Sequence, residues 1–160
     1  MKYLFTTFYI FFSLFLYAQS EHDFLSTIDY CTEIKLKNTD TKCGEWGGDI
    51  TTIRVYKKDC KGEFYIDYTK TIMNCEDIIG HYSREDVDIF KTIQATDEER
   101  KLIEQAITEL LKRKLSNNDF FGHSGIQNSV VFSDSTLIIK DYPSIRWSSF
   151  EKLVHQVTKQ

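Results

Sequence analysis

From residue 30 to 37, Ile34 and Leu36 alternate with Glu33, Lys35 and Lys37. That is the period of a strand with one face buried. Residues 50–56, rich in Thr, Ile and Val, predict a second strand. Residues 64–71 predict a third, with Phe64, Ile66 and Tyr68 on one face. The stretch 57–62 between them carries Asp59 and Gly62, residues that shape turns, so the two strands read as a hairpin. An irregular stretch, 74–86, leads to a fourth strand over 87–94, with Val87, Ile89 and Ile93 in phase.

At Thr96 the period changes. Thr96-Asp97-Glu98-Glu99 has the form of a capping box, in which the Thr side chain and the Glu three residues on satisfy the first free amides of a helix. Leu102, Ile103, Ala106, Ile107, Leu110 and Leu111 then form one apolar stripe, ending near Ser116-Asn117-Asn118. Two short apolar runs, 129–132 and 136–140, flank Asp134-Ser135 and predict a second hairpin, apolar on both sides and so expected to be central or covered. Ser148-Ser149-Phe150-Glu151 predicts a second capping box, opening a helix with Phe150, Leu153, Val154 and Val157 inward. The order β-β-β-β-α-β-β-α, with strands joined by tight turns, predicts an α+β fold: an antiparallel sheet with two helices packed on one face.

The N-terminus stands apart from this pattern. Met1-Lys2 is followed by an uncharged apolar run over 3–17 and then by small residues, Ala18-Gln19-Ser20. This is the order of a cleavable secretory signal, expected over 1–20, with a single globular domain over 21–160. The apolar run is shorter than the roughly 20 residues a spanning helix needs, so no membrane span is expected in the mature chain. The chain has a net charge of −4, and its basic residues are scattered along the sequence, which argues against a nucleic-acid partner.

Export changes the reading of the cysteines. Cys31, Cys43, Cys60 and Cys75 are an even set, and none lies close enough to another for a C-x-x-C metal motif. Two disulfides are expected. If the first two strands are antiparallel neighbours, Cys31 comes near Cys60, and Cys75 returns toward Cys43. A Cys60–Cys75 bridge would ask about 15 residues to fold back, far beyond the roughly 6 Å Cα separation that a disulfide allows.

Candidate chemistry is sparse. In the loop Cys43-Gly44-Glu45-Trp46-Gly47-Gly48-Asp49, glycines bare the backbone for an anion, and Trp46 offers a flat face to a sugar or a protein. Trp46, Gly47, Gly48 and Asp49 are therefore the candidate binding residues, against the alternative of a tight bend with Trp46 folded into the core. His123 lies in Gly122-His123-Ser124-Gly125, but a G-x-S-x-G nucleophile elbow would need glycine where Ile126 stands. His81 with Asp86 and Asp88 is the one set with a cation-binding look, and His155 is expected at the surface. No catalytic constellation, metal signature or cofactor fingerprint is present, so no catalytic residue, metal or cofactor is expected. The loop Cys43-Gly44-x-Trp46-Gly47-Gly48, set between a leader and the hairpin–helix–hairpin–helix order, resembles small exported proteins of flavobacterium-like bacteria, and that resemblance implies no activity. The function expected is an exported, disulfide-containing binding module with a protein or glycan partner in the envelope, in the periplasm, at the cell surface or outside the cell. The alternative is a small hydrolase or metal-assisted enzyme using His81, Asp86 and Asp88, or His123.

Overall fold

A computed structural model describes residues 24–60, 62–75, 86–116 and 125–160; the expected leader lies outside them. The described residues form strands β1 (Ile34–Thr39), β2 (Ile50–Lys57), β3 (Phe64–Ile72), β4 (Asp86–Gln94), β5 (Ile126–Phe132) and β6 (Ile138–Ser144), with helices α1 (Asp97–Leu115) and α2 (Ser148–Lys159). The α+β order is the one expected. The strands make one sheet, ordered β4-β3-β2-β1-β5-β6, with every neighbouring pair antiparallel. The hairpins are local in sequence. The β1–β5 pair is not, and α1 carries the chain from the β4 edge to it.

The period-two pattern becomes two apolar ribs across the sheet. One runs Ile139–Val130–Leu36–Ile53–Tyr68, the other Phe132–Ile34–Val55–Ile66–Ile93, each step a register pair between neighbouring strands. Against this face pack Ile103, Ala106, Ile107 and Leu110 of α1, and Phe150, Leu153 and Val157 of α2. Burying each large aliphatic side chain contributes about 1.5–3 kcal/mol. Trp147 closes the core between the helices: its ring stacks on Phe150 at 4.6 Å and its indole N–H donates to the Ala106 carbonyl at 2.9 Å. The buried Asn128 amide is satisfied by Asn38, Ser144 and the Ile145 carbonyl at 2.7–3.1 Å, so it adds no unpaired polar group to the core.

Glu99 of the first capping box accepts from the Thr96 amide at 2.8 Å, and although fully buried it also takes a bond from Gln160 at 2.6 Å. Three local expectations need correction. β1 begins at Ile34 rather than at residue 30, because the preceding chain turns on Ile28–Leu25 and Thr32–Asp29 backbone bonds. The β5–β6 hairpin is neither central nor covered as a whole: β6 is an edge strand, and its alternation sends Ile139 into the core and leaves Ile138 53% exposed. Finally, α2 has no side-chain cap of its own. Ser148 is already helical, and the Glu109 carboxylate of α1 takes the free amides of Ser148 and Ser149 at 3.1 and 2.8 Å, while Glu151 pairs with Arg146.

Candidate binding face

Both helices lie on one side of the sheet, so the residues that alternate with the core ribs form a face that no described element covers, the uncovered face. At one end of it, Arg54 organises a polar cluster. Its guanidinium donates to Glu33 at 2.8 Å and to Asp67 at 2.9 Å. Asp67, only 7% exposed, also accepts from Thr92 at 2.8 Å and from the Tyr56 hydroxyl at 3.3 Å. The guanidinium sits 4.4 Å from the Tyr56 ring centre, Tyr56 stacks with Tyr65 at 6.0 Å, and the Lys58 ammonium sits 3.8 Å from the Tyr65 centre. Arg54 bonded to Glu33 holds that carboxyl below the usual range. Burial, with the charge of Asp67 beside it, pushes the Tyr56 phenol up. A carboxyl held ionised and a phenol held protonated are poor proton shuttles near neutral pH. The cluster is chemically a fixed, charge-balanced platform.

Beside the cluster lies a concavity of about 370 Å³ lined by Lys35, Lys37, Ile50, Thr52, Thr71, Ser129 and Val131. Lys37 is flanked in register by Thr52 on β2 and by Ser129 on β5, and Ser129 in turn faces Lys140 on β6. Two ammonium groups and three hydroxyls thus line one hollow with no carboxylate among them. A larger groove of about 610 Å³ lies along the helices, lined by Lys101, Glu104, Gln105, Thr108, Glu109, Lys112 and Ser149. Its charges are of both signs, and Glu109 there already holds the start of α2, so it offers less for recognition despite its size.

The loop singled out in the sequence is held largely by its own hydrogen bonds. The amides of Cys43, Gly44, Gly47 and Asp49 donate to Gly47, Thr41, Gly44 and Asp40 within the loop itself, so they form no cradle for an anion. Gly47 has φ 87°, a region that favours glycine. Gly48 is buried, and a Cβ there would lie 1.9 Å from Asp40 Oδ1 and 2.6 Å from the Lys42 amide nitrogen. Asp49 ties the loop to the end of β3, accepting from the Met73 amide at 3.1 Å and from Lys42 at 3.0 Å. Burial pushes its pKa up, but these two partners outweigh that and hold it below the ordinary value. The Trp46 ring lies outside what the structure describes.

Of the expected disulfides, Cys43–Cys75 is present, with a Cα separation of 5.2 Å. Cys31–Cys60 is not formed, and both are exposed thiols. The β1–β2 register ends at Ile34 opposite Val55, and Cys31 lies in the turn before β1, so the ladder does not set it opposite Cys60. The Tyr30 pKa is raised, chiefly by the neighbouring Cys31, then by the charge of Asp29 and by Cys60. His81 and His123 lie outside the described residues, and so do the side chains of Asp86 and Asp88, whose backbones lie on β4. Among the described residues no three His, Cys, Asp or Glu side chains gather as a metal-holding group. His155 is exposed on α2, as expected. No described helix is long and apolar enough to cross a membrane.

The residues of the uncovered face escape motif reasoning because they come from separate strands. The available signal was the alternation itself, which set Lys35 and Lys37 opposite in phase to Ile34 and Leu36. No protein-family model, curated protein or solved structure matches the chain.

Proposed function

We propose that the chain is an exported, disulfide-tied binding module without a catalytic centre, acting in the envelope or outside the cell, and that the uncovered sheet face is its ligand surface. The observation that carries the reading is the uncovered face itself, with its cation- and hydroxyl-lined hollow beside a rigid Arg54–Tyr56 cluster. Export is supported by the N-terminal pattern and by the Cys43–Cys75 disulfide, a bond that persists in oxidising compartments. The partner is a protein or glycan of that compartment.

The test is site-specific photocrosslinking in cells that export the protein. A photoreactive residue replaces Thr52 on the uncovered face or Lys152 on the exposed side of α2. Saturable adducts from position 52 and none from position 152 support the reading. Adducts from position 152 alone, or from neither, overturn it.

A further inference from the structure

Resting on the reading of the uncovered face as the ligand surface, we infer that its hollow takes an extended acidic segment of a partner protein, with carboxylates on alternate residues. Lys35, Lys37 and Lys140 share this face, and all three are exposed. Among the described residues none of their three ammonium groups makes an ion pair or hydrogen bond, although Lys35 feels the charge of Glu33. They stand together on a chain of net charge −4, so the hollow is a local positive site on an acidic molecule. Such a site steers anionic partners toward itself.

Spacing selects the form of the anion. Lys35 and Lys37 are two residues apart on one strand, about 6.6 Å. Side chains on one face of an extended peptide recur at the same distance, so carboxylates at alternate positions meet the two ammonium groups in register. Thr52 and Ser129 flank Lys37 and can donate hydroxyl hydrogen bonds to the same carboxylates. Lys140 lies two strands from Lys37, about 9.6 Å, and extends the positive field sideways. The nearby rings are poor platforms for a sugar, because Arg54 and Lys58 each cover a face of Tyr56 and Tyr65. That favours an acidic peptide over an acidic glycan.

The experiment is fluorescence anisotropy of the purified protein with a labelled ten-residue alternating Glu-Thr peptide. The comparison probes are a peptide of the same composition with its Glu residues in one block, an alternating Gln-Thr peptide, and oligogalacturonate. The alternating acidic peptide is expected to bind tightest, and more weakly as salt is raised to about 0.15 M. Lys35→Gln with Lys37→Gln is expected to weaken it about five- to tenfold, as two exposed ion pairs allow. Lys152→Gln with Lys159→Gln, on α2, is expected to leave it unchanged. Equal binding of the blocked peptide, tighter binding of oligogalacturonate, or no effect of the Lys35/Lys37 change overturns the inference. Position-52 crosslinks without peptide binding refute the acidic ligand and keep the face. Loss of both refutes both.

Discussion

Glu109 links the two helices, and removing it tests how α2 is held. Its carboxylate accepts from the amides of Ser148 and Ser149, and it pairs with Arg113 at 2.9 Å. Arg113 in turn reaches the carbonyls of Ile145 and Arg146 at 3.2 and 3.0 Å, so one pair clamps the chain into α2. Losing a helix cap costs about 0.5–2 kcal/mol, and bonds to a charged group cost more. The Glu109 side chain is 27% exposed, and solvent screening discounts its ion pair. Glu109→Ala should therefore cost about 2 kcal/mol, a fall of about 6–8 °C in Tm for a domain of this size. Glu109→Gln keeps an acceptor and should cost about half as much. Burial pushes the Glu109 pKa up, but the Ser149 hydroxyl and amide, the Ser148 amide and Arg113 outweigh it and hold it below 4.5. A group with a lowered folded-state pKa contributes its full stability above the unfolded value and loses it as the pH falls through the folded one. The gap between wild type and Glu109→Ala, measured by urea denaturation, should be full at about pH 7 and narrow below pH 4.5. A gap under about 0.5 kcal/mol would show that α2 is not capped from α1. A gap that persists unchanged in acid would show that the carboxylate charge is not its source.

Three further outcomes are expected. Cys43→Ser with Cys75→Ser opens a bridge spanning 32 residues and should cost about 3.7 kcal/mol by loop entropy. Reducing agent should then lower the Tm of that variant no further, because Cys31 and Cys60 are already thiols, and calorimetry with and without reductant checks both points. Gly48→Ala should cost more than about 2 kcal/mol, because its Cβ meets the Lys42 backbone as well as Asp40; faster hydrogen exchange at the Asp49 amide would locate the damage. Arg54→Met should raise the pKa of Glu33 by removing its main hydrogen-bond donor, visible in a carboxyl NMR titration, and an unchanged titration would refute the cluster described here.

The elements were legible where their causes are local. The alternation around Ile34 and Leu36, the Thr96–Glu99 cap and the stripe from Leu102 to Leu111 each sit within a few residues of the signal that marks them. The Cys43–Cys75 pair was legible because it needs only the direction of three consecutive strands. What escaped depends on strand order. Nothing near Ser129 announces that it pairs with Lys37, and nothing in Ser148-Ser149-Phe150-Glu151 announces that a carboxylate from another helix takes its amides. The Cys31–Cys60 expectation failed because β1 starts only at Ile34, which leaves Cys31 in the preceding turn and outside the ladder.

The distribution of charge supports the uncovered face, rather than the glycine loop, as the proposed ligand surface. Acidic groups outnumber basic ones in the chain. Some charges elsewhere are matched nearby: Lys42 with Asp49, Arg113 with Glu109, Arg146 with Glu151. In the loop, Asp49 is matched in this way, accepting from Lys42 and from the Met73 amide. The hollow instead gathers unmatched cations in one place. Like charges on neighbouring positions of a sheet face repel, and interspersed carboxylates would relieve that at no cost to the core. Lys35, Lys37 and Lys140 share the face with hydroxyls, while two carboxylates of the same face, Glu33 and Asp67, are tied to Arg54. A surface that keeps its cations unmatched forgoes a little folding stability, and the gain from matching them is available to a partner that arrives carrying the acids.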